Sequence, residues 1–149
     1  MFRIVAVSVV LLSVAVRLLA SRDDLWLDEI WSLQLAEEAN SWFEIVTTLQ
    51  HDNNHPLNTL WMFVVGQNAG SMVYRTPALL CGCLTVIYAG YRVWNKDRYE
   101  ALIAWILFGC SYFLIQYSSE ARGYGPLMLC TLLSVDLAER LTVIRDRRT

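Results

Sequence analysis

Three short polar segments interrupt long apolar ones, and they hold the residues whose types and spacing suit chemistry. The first is Trp26-Leu27-Asp28-Glu29-Ile30-Trp31-Ser32, the second His51-Asp52-Asn53-Asn54-His55-Pro56-Leu57, and the third Tyr117-Ser118-Ser119-Glu120-Ala121-Arg122-Gly123-Tyr124. The carboxylates Asp28, Glu29 and Glu120 can serve as a general base or as metal ligands. His55 and Arg122 can neutralise a phosphate. His51 and His55 stand four apart, a weak metal-pair signal at a helix boundary with no cysteine nearby. Each residue also has a structural reading. Asp28 suits a helix cap, Glu29 the positive end of the same helix, His55 the residue before a helix opened by Pro56, and Glu120 with Arg122 a snorkelling pair. Type and spacing leave both readings open.

The elements that must position these segments are read from composition. The chain has 149 residues, 56% hydrophobic and 17% charged, where a soluble domain carries about 25% charge. Mean hydropathy is +0.38, and the apolar residues lie in blocks. This excludes a disordered chain, a coiled coil and an ordinary soluble globule, and points to the bilayer as solvent. Blocks at 4–21, 77–94, 101–117 and 124–144 are each near the length needed to cross about 30 Å of hydrocarbon. The expectation is one all-α polytopic membrane domain over 1–149 with four transmembrane helices. Arg17 interrupts the first block one turn from its end and is expected to snorkel outward. That interruption, the block's length and the poor cleavage site at Leu19-Ala20-Ser21 favour a span over a signal peptide. Cys81, Cys83, Cys110 and Cys130 all lie in apolar blocks and read as small hydrophobes.

Charge sets the expected orientation. Residues 22–74 hold eight acids and one base, Arg22, whereas Arg3, Arg92–Arg98 and Arg145–Arg148 are basic. The positive-inside rule then places both termini in the cytoplasm and the loop 22–74 outside. No basic face gathers in that loop, which excludes a nucleic-acid partner. The loop is apolar enough to fold as short membrane-parallel helices. Asp28–Glu38 predicts one, with Trp26, Ile30 and Leu33 on a stripe, and Ser41 with Glu44 forms a capping-box pattern for a second, to about Gln50. Pro56–Gln67 predicts a third, too short to cross at about 1.5 Å per residue. Asp136 and Arg140, four apart, are expected to pair on one helix face.

The polar segments, taken in order, resemble the membrane-integral C-type glycosyltransferases, nearest to the bacterial branch of the dolichyl-phosphate-mannose protein mannosyltransferase-like enzymes. The resemblance rests on Trp26–Ser32, on His55-Pro56-Leu57, on Arg75-Thr76-Pro77-Ala78-Leu79-Leu80-Cys81-Gly82, and on Ser118–Tyr124. Leu57 departs from the second proline of the family's H-P-P-L-like pattern. Family members run to several hundred residues with more spans, so the chain is expected to match their N-terminal part, with a longer product or a partner membrane chain supplying the rest. The resemblance implies inverting transfer of a sugar from a polyprenyl-phosphate donor to a glycan, lipid or protein acceptor, on the outer face of a bacterial inner membrane. It implies Asp28 as general base, Glu29 and Glu120 orienting acceptor, sugar or an optional divalent cation (Asp28 and Glu120 its ligands), and His55 and Arg122 on phosphate, with Arg75 and Arg17 as weaker phosphate contacts. The alternative is a small non-enzymatic four-span subunit that assembles with partner membrane proteins.

The topology is testable. With the native cysteines replaced, Asn40→Cys should label from outside intact cells and Lys96→Cys should not. The reverse pattern would invert the orientation.

Overall fold

Apolar blocks fold as helices because a chain out of water must satisfy its backbone within itself. The computed structural model describes residues 2–48 and 55–146. Among these are eight helices and no strand: α1 (Phe2–Ala20), α2 (Leu27–Glu38), α3 (Trp42–Thr47), α4 (Pro56–Val65), α5 (Ser71–Trp94), α6 (Arg98–Cys110), α7 (Tyr112–Ser119) and α8 (Tyr124–Asp146). Helix α5 is central and packs on α1, α4, α6, α7 and α8. The Phe2 ring lies 5.9 Å from Trp94 and 5.5 Å from Tyr99, so the start of α1 meets the turn between α5 and α6. Arg92 pairs with Asp136 at 3.3 Å and with Glu139, and Arg140 reaches Asp136 at 2.8 Å, the expected i,i+4 pair. The Arg92–Arg98 turn therefore shares one end of the bundle with the start of α1 and the charged part of α8, and α2–α4 pack at the other.

Four spans were expected; the structure supports two, or three if a bent pair counts as one. Helices α1 and α5 are long and apolar enough to cross a membrane. The third block is not one straight helix: α6 and α7 are bent by 57° at Ser111. Helix α8 is long enough, but every 18-residue stretch of it contains Asp136, Glu139 and Arg140. Helix α4, with ten residues, rises about 15 Å and does not cross.

Helix α5 begins six residues before the expected Pro77. A proline within a helix deprives the carbonyl four residues earlier of its N–H. Here that carbonyl belongs to Val73, and the indole N–H of Trp61 on α4 donates to it at 2.8 Å. Close approach elsewhere needs missing side chains: a Cβ on Gly125 would stand 2.5 Å from the Ala78 carbonyl oxygen, and one on Gly82 would overlap Ser118. Such small-residue contacts let helices associate where lipid offers no hydrophobic drive.

Arg17 does not snorkel. It is 1% exposed and turns inward. Its Nη2 donates to the Phe108 carbonyl at 2.9 Å and its Nη1 to the Gly109 carbonyl at 3.2 Å and to Ser13 Oγ at 2.5 Å. The last carbonyls of a helix lack intrahelical partners, and the break at Ser111 leaves those of α6 in the interior. A cation at that negative helix end is favourable on both counts.

Helix α2 buries Glu29, Ser32 and Ala36, while Trp26, Leu27, Ile30 and Trp31 are exposed. Of the expected stripe, Trp26 and Ile30 point away from the core, joined by Trp42 and Phe43 of α3, whereas Leu33 packs against the cluster of Ala36, Met62, Tyr74 and Ala121. An outward aromatic face suits the membrane interface, where Trp is enriched. Ser41 caps α3 as expected, its Oγ accepting from the Glu44 N–H at 3.3 Å. The expected end of that helix at Gln50 lies outside the described residues.

Replacing Arg17 by Met should leave two interior carbonyls without a charged donor, at about 1.5–3 kcal/mol for each bond. Unfolding in detergent should shift down by that order. An unchanged midpoint would mean the break at Ser111 is satisfied otherwise.

Candidate functional site

The loop end is built around one buried ion pair. Glu29, at the third position of α2, is 0% exposed and Arg75, in the first turns of α5, is 1% exposed. Arg75 Nε donates to Glu29 Oε1 at 2.9 Å and Nη2 to Oε2 at 2.6 Å, a bidentate fork. The remaining guanidinium hydrogens go to the carbonyls of Ser21 (2.9 Å), Asp23 (2.7 Å) and Asp24 (2.9 Å). All five donors of an arginine are therefore used. Glu29 also accepts the Trp26 N–H at 2.7 Å, half of a capping box, and the Ala121 N–H. Glu29 was expected on an acceptor and Arg75 on phosphate; here both groups are saturated within the protein and shielded from solvent.

Through the Ala121 contact, the pair sets α2 beside the segment between α7 and α8, and the more accessible charges converge there. Asp28 and Arg122 form an ion pair across 94 residues of sequence, both half-buried. Arg122 Nε lies 3.4 Å from Glu120 Oε2, close enough to attract but not aligned as a hydrogen bond. Glu120 Oε1 accepts from Gln116 Nε2 at 3.1 Å. Burial pushes the Glu120 carboxyl up, the Gln116 bond pulls it down, and nearby Glu29 adds to the rise. A cavity of about 250 Å³ lies against this group, its wall including Asp23, Trp26, Tyr112, Gln116 and Glu120.

His55 precedes α4, and its ring packs edge-on to Tyr124 at 5.0 Å, beside Gly123. Its Nε2 is buried without a partner, and burial lowers its pKa, favouring the neutral imidazole. Asn58, one turn on, donates to the Ala121 carbonyl at 2.5 Å and ties α4 to the same segment. Asp28, Glu29, Glu120, Arg122, Arg75 and His55 thus gather at one end of the bundle. Arg17 belongs to the α6 break instead. His51, and with it the His51/His55 metal pair, lies outside the described residues. Among the described residues no group of three or more His, Cys, Asp and Glu side chains could hold a metal ion. Asp28 and Glu120, the expected cation ligands, are bridged by the Arg122 guanidinium, so the arrangement does not fit a cation between them.

Asp23, Gln116 and Tyr112 were not expected at the site. Gln116 was readable as the i,i+4 partner of Glu120; the other two depend on how α1 and α7 pack. Comparison with protein-family models, with characterised proteins and with solved structures finds no match.

Glu29→Gln should leave the Arg75 charge buried without a counter-ion, at about 3–5 kcal/mol. Reversible unfolding in mixed micelles measures this. A loss below about 0.5 kcal/mol, the scale of an ordinary surface change, would demote the pair.

Proposed function

We propose that the chain carries the polar half of a glycosyl-transfer site, acting on a polyprenyl-phosphate sugar at the outer membrane face. The observation that carries this reading is the meeting of Asp28 and Glu120 on Arg122 beside a cavity. It joins a base, a phosphate-binding cation and room for a ring. An apolar groove of about 270 Å³ at the same end of α1 and α5, walled by Leu18, Met72, Val73, Thr76, Leu79 and Leu80, offers surface for hydrocarbon. The ordered sequence motifs support the same reading, and the charge bias supports the outer face.

The residues divide the work by their burial. Glu29 and Arg75 hold the frame. Arg122 is the charge that meets phosphate, because His55 is held toward its neutral form and serves as a single N–H donor. At rest Arg122 is paired with Asp28. An incoming phosphate competes for the guanidinium, which suits bidentate binding of either anion, and so releases Asp28 as donor binds. The acceptor oxygen then attacks the anomeric carbon, its proton passes to the Asp28 carboxylate, and the bond to phosphate oxygen breaks with its electron pair leaving on phosphate. One such displacement inverts the anomeric centre. Positioning and charge stabilisation supply most of the acceleration, and no step runs through a cation.

In native membranes carrying Asp28→Asn from the chromosome, transfer from a polyprenyl-phosphate sugar should fall about 10²–10⁴-fold with insertion unchanged. Asn caps a helix as well as Asp, so a capping role predicts little change. Arg122→Lys should raise the donor KM more than it lowers kcat. Near wild-type transfer in both variants would favour the non-enzymatic subunit.

A further inference from the structure

The other end of the bundle carries a groove that the transfer site does not use. It runs along α1 beside Arg3, Val7 and Leu11, is closed by Trp94 of α5 and Trp105 of α6, and has a volume of about 340 Å³. Residues 3, 7 and 11 stand four apart on one helix face, which rises about 12 Å from the first to the last. The wall opposite α1 is fixed by packing. A Cβ on Gly90 would overlap the Trp105 ring, so this indole sits directly on α5, and its Nε1–H donates to the Ile87 carbonyl at 3.2 Å. The Trp94 ring lies 5.4 Å from Trp105 and 5.9 Å from Phe2. Apart from Arg3, every side chain lining the groove is hydrophobic.

Two cations stand at one end of this groove. Arg3 is exposed and lines it, and the exposed Arg98 holds its guanidinium 5.8 Å from the centre of the Trp94 ring. Among the described residues neither makes an ion pair. The neighbouring charges are otherwise engaged: Arg92 pairs with Asp136 and Glu139, Asp97 accepts from the backbone N–H groups of Tyr99 and Glu100, and the exposed Lys96 and Glu100 offset each other in net charge. Around the groove α1 exposes Ile4, Leu11 and Leu12, a surface for acyl chains. A neutral lipid would fill the groove and leave the arginines unanswered. A free anion would answer the arginines and leave the apolar wall bare, and an apolar partner helix would strand Arg3. An amphiphile with a negative head and a hydrocarbon tail meets both demands, as in basic pockets between membrane helices that hold lipid head groups. We propose that the groove seats one acyl chain of an anionic phospholipid from the leaflet at this end, its phosphate held by Arg3, with Arg98 adding to the positive field. On the orientation that the charge bias predicts, this is the cytoplasmic leaflet, and the site is independent of the transferase reading.

The test titrates the whole chain, in a neutral detergent, with phosphatidylglycerol and separately with phosphatidylcholine of the same acyl chains, bound lipid being counted by native mass spectrometry. Phosphatidylglycerol should bind about fivefold or more tighter, the scale of one arginine beside an anionic head group. Arg3→Gln should abolish that preference. Arg22→Gln, which removes the same charge just beyond the other end of α1, should keep it. Val7→Trp fills the groove and leaves Arg3 in place; it should weaken both lipids about tenfold or more, the equivalent of roughly two methylenes no longer buried. All three positions are exposed, and circular dichroism reports the folding of each variant. Equal affinity for the two lipids, a preference that survives Arg3→Gln, or one lost equally in Arg22→Gln would overturn the site. Binding unmoved by Val7→Trp would overturn it too, because the chain would then lie outside the groove. A wild-type dimer that excludes lipid would put a second copy of the chain there and contradict the proposal.

Discussion

The Glu29–Arg75 pair is the interaction on which the loop end depends. Two charges removed from water cost several kcal/mol each unless geometry and further hydrogen bonds repay them. Here both are saturated: Arg75 uses all five donors, and Glu29 accepts from Arg75, Trp26 and Ala121. The same bonds tie four pieces of chain together, namely the segment after α1, the start of α2, the first turns of α5 and the segment between α7 and α8. Asp28 is adjacent to Glu29, and Arg122 is adjacent to Ala121. Their meeting follows from the buried pair, since each neighbour is carried to the same place.

A second arginine obeys the same logic at a different point. In a low-dielectric interior, backbone carbonyls freed by a helix break must find donors. Arg17 supplies them to Phe108 and Gly109, much as Trp61 supplies the Val73 carbonyl orphaned by Pro77. The break at Ser111 in turn lets α7 leave the axis of α6 and bring Gln116 and Glu120 to the cavity. Buried polar side chains therefore stitch irregular backbone in the bundle, and the more accessible charges are left for chemistry.

Much of this was legible from local rules. The apolar blocks became helices, Pro56 opens α4, Ser41 caps α3, and Asp136 pairs with Arg140. The position of Asp28, His55 and Glu120 beside apolar blocks is visible in the sequence, and the structure gathers these three at one end of the bundle. What was not legible depends on partners distant in sequence. Arg17 reads as snorkelling because nothing near it announces a helix break, and Gly109-Cys110-Ser111 contains no proline to mark one. Glu29 and Asp28 are indistinguishable as types at a helix start, yet one is sealed inside and the other half-buried, because only Glu29 falls on the face of α2 turned to Arg75. On the expected stripe of α2, Trp26 and Ile30 turn outward while Leu33 stays against the core, because the face that carries Glu29 is the one turned to Arg75.

The central claim is that Arg75 holds the segment after α1 and the α7–α8 segment as one unit. Hydrogen–deuterium exchange in nanodiscs, comparing wild type with Arg75→Lys, measures it most directly, since lysine keeps the charge but loses the five-donor fork. The account predicts that exchange rises together in residues 21–29 and 118–123, by roughly tenfold or more, with the middle of α5 unchanged. A rise confined to residues 21–24, or none, would contradict it.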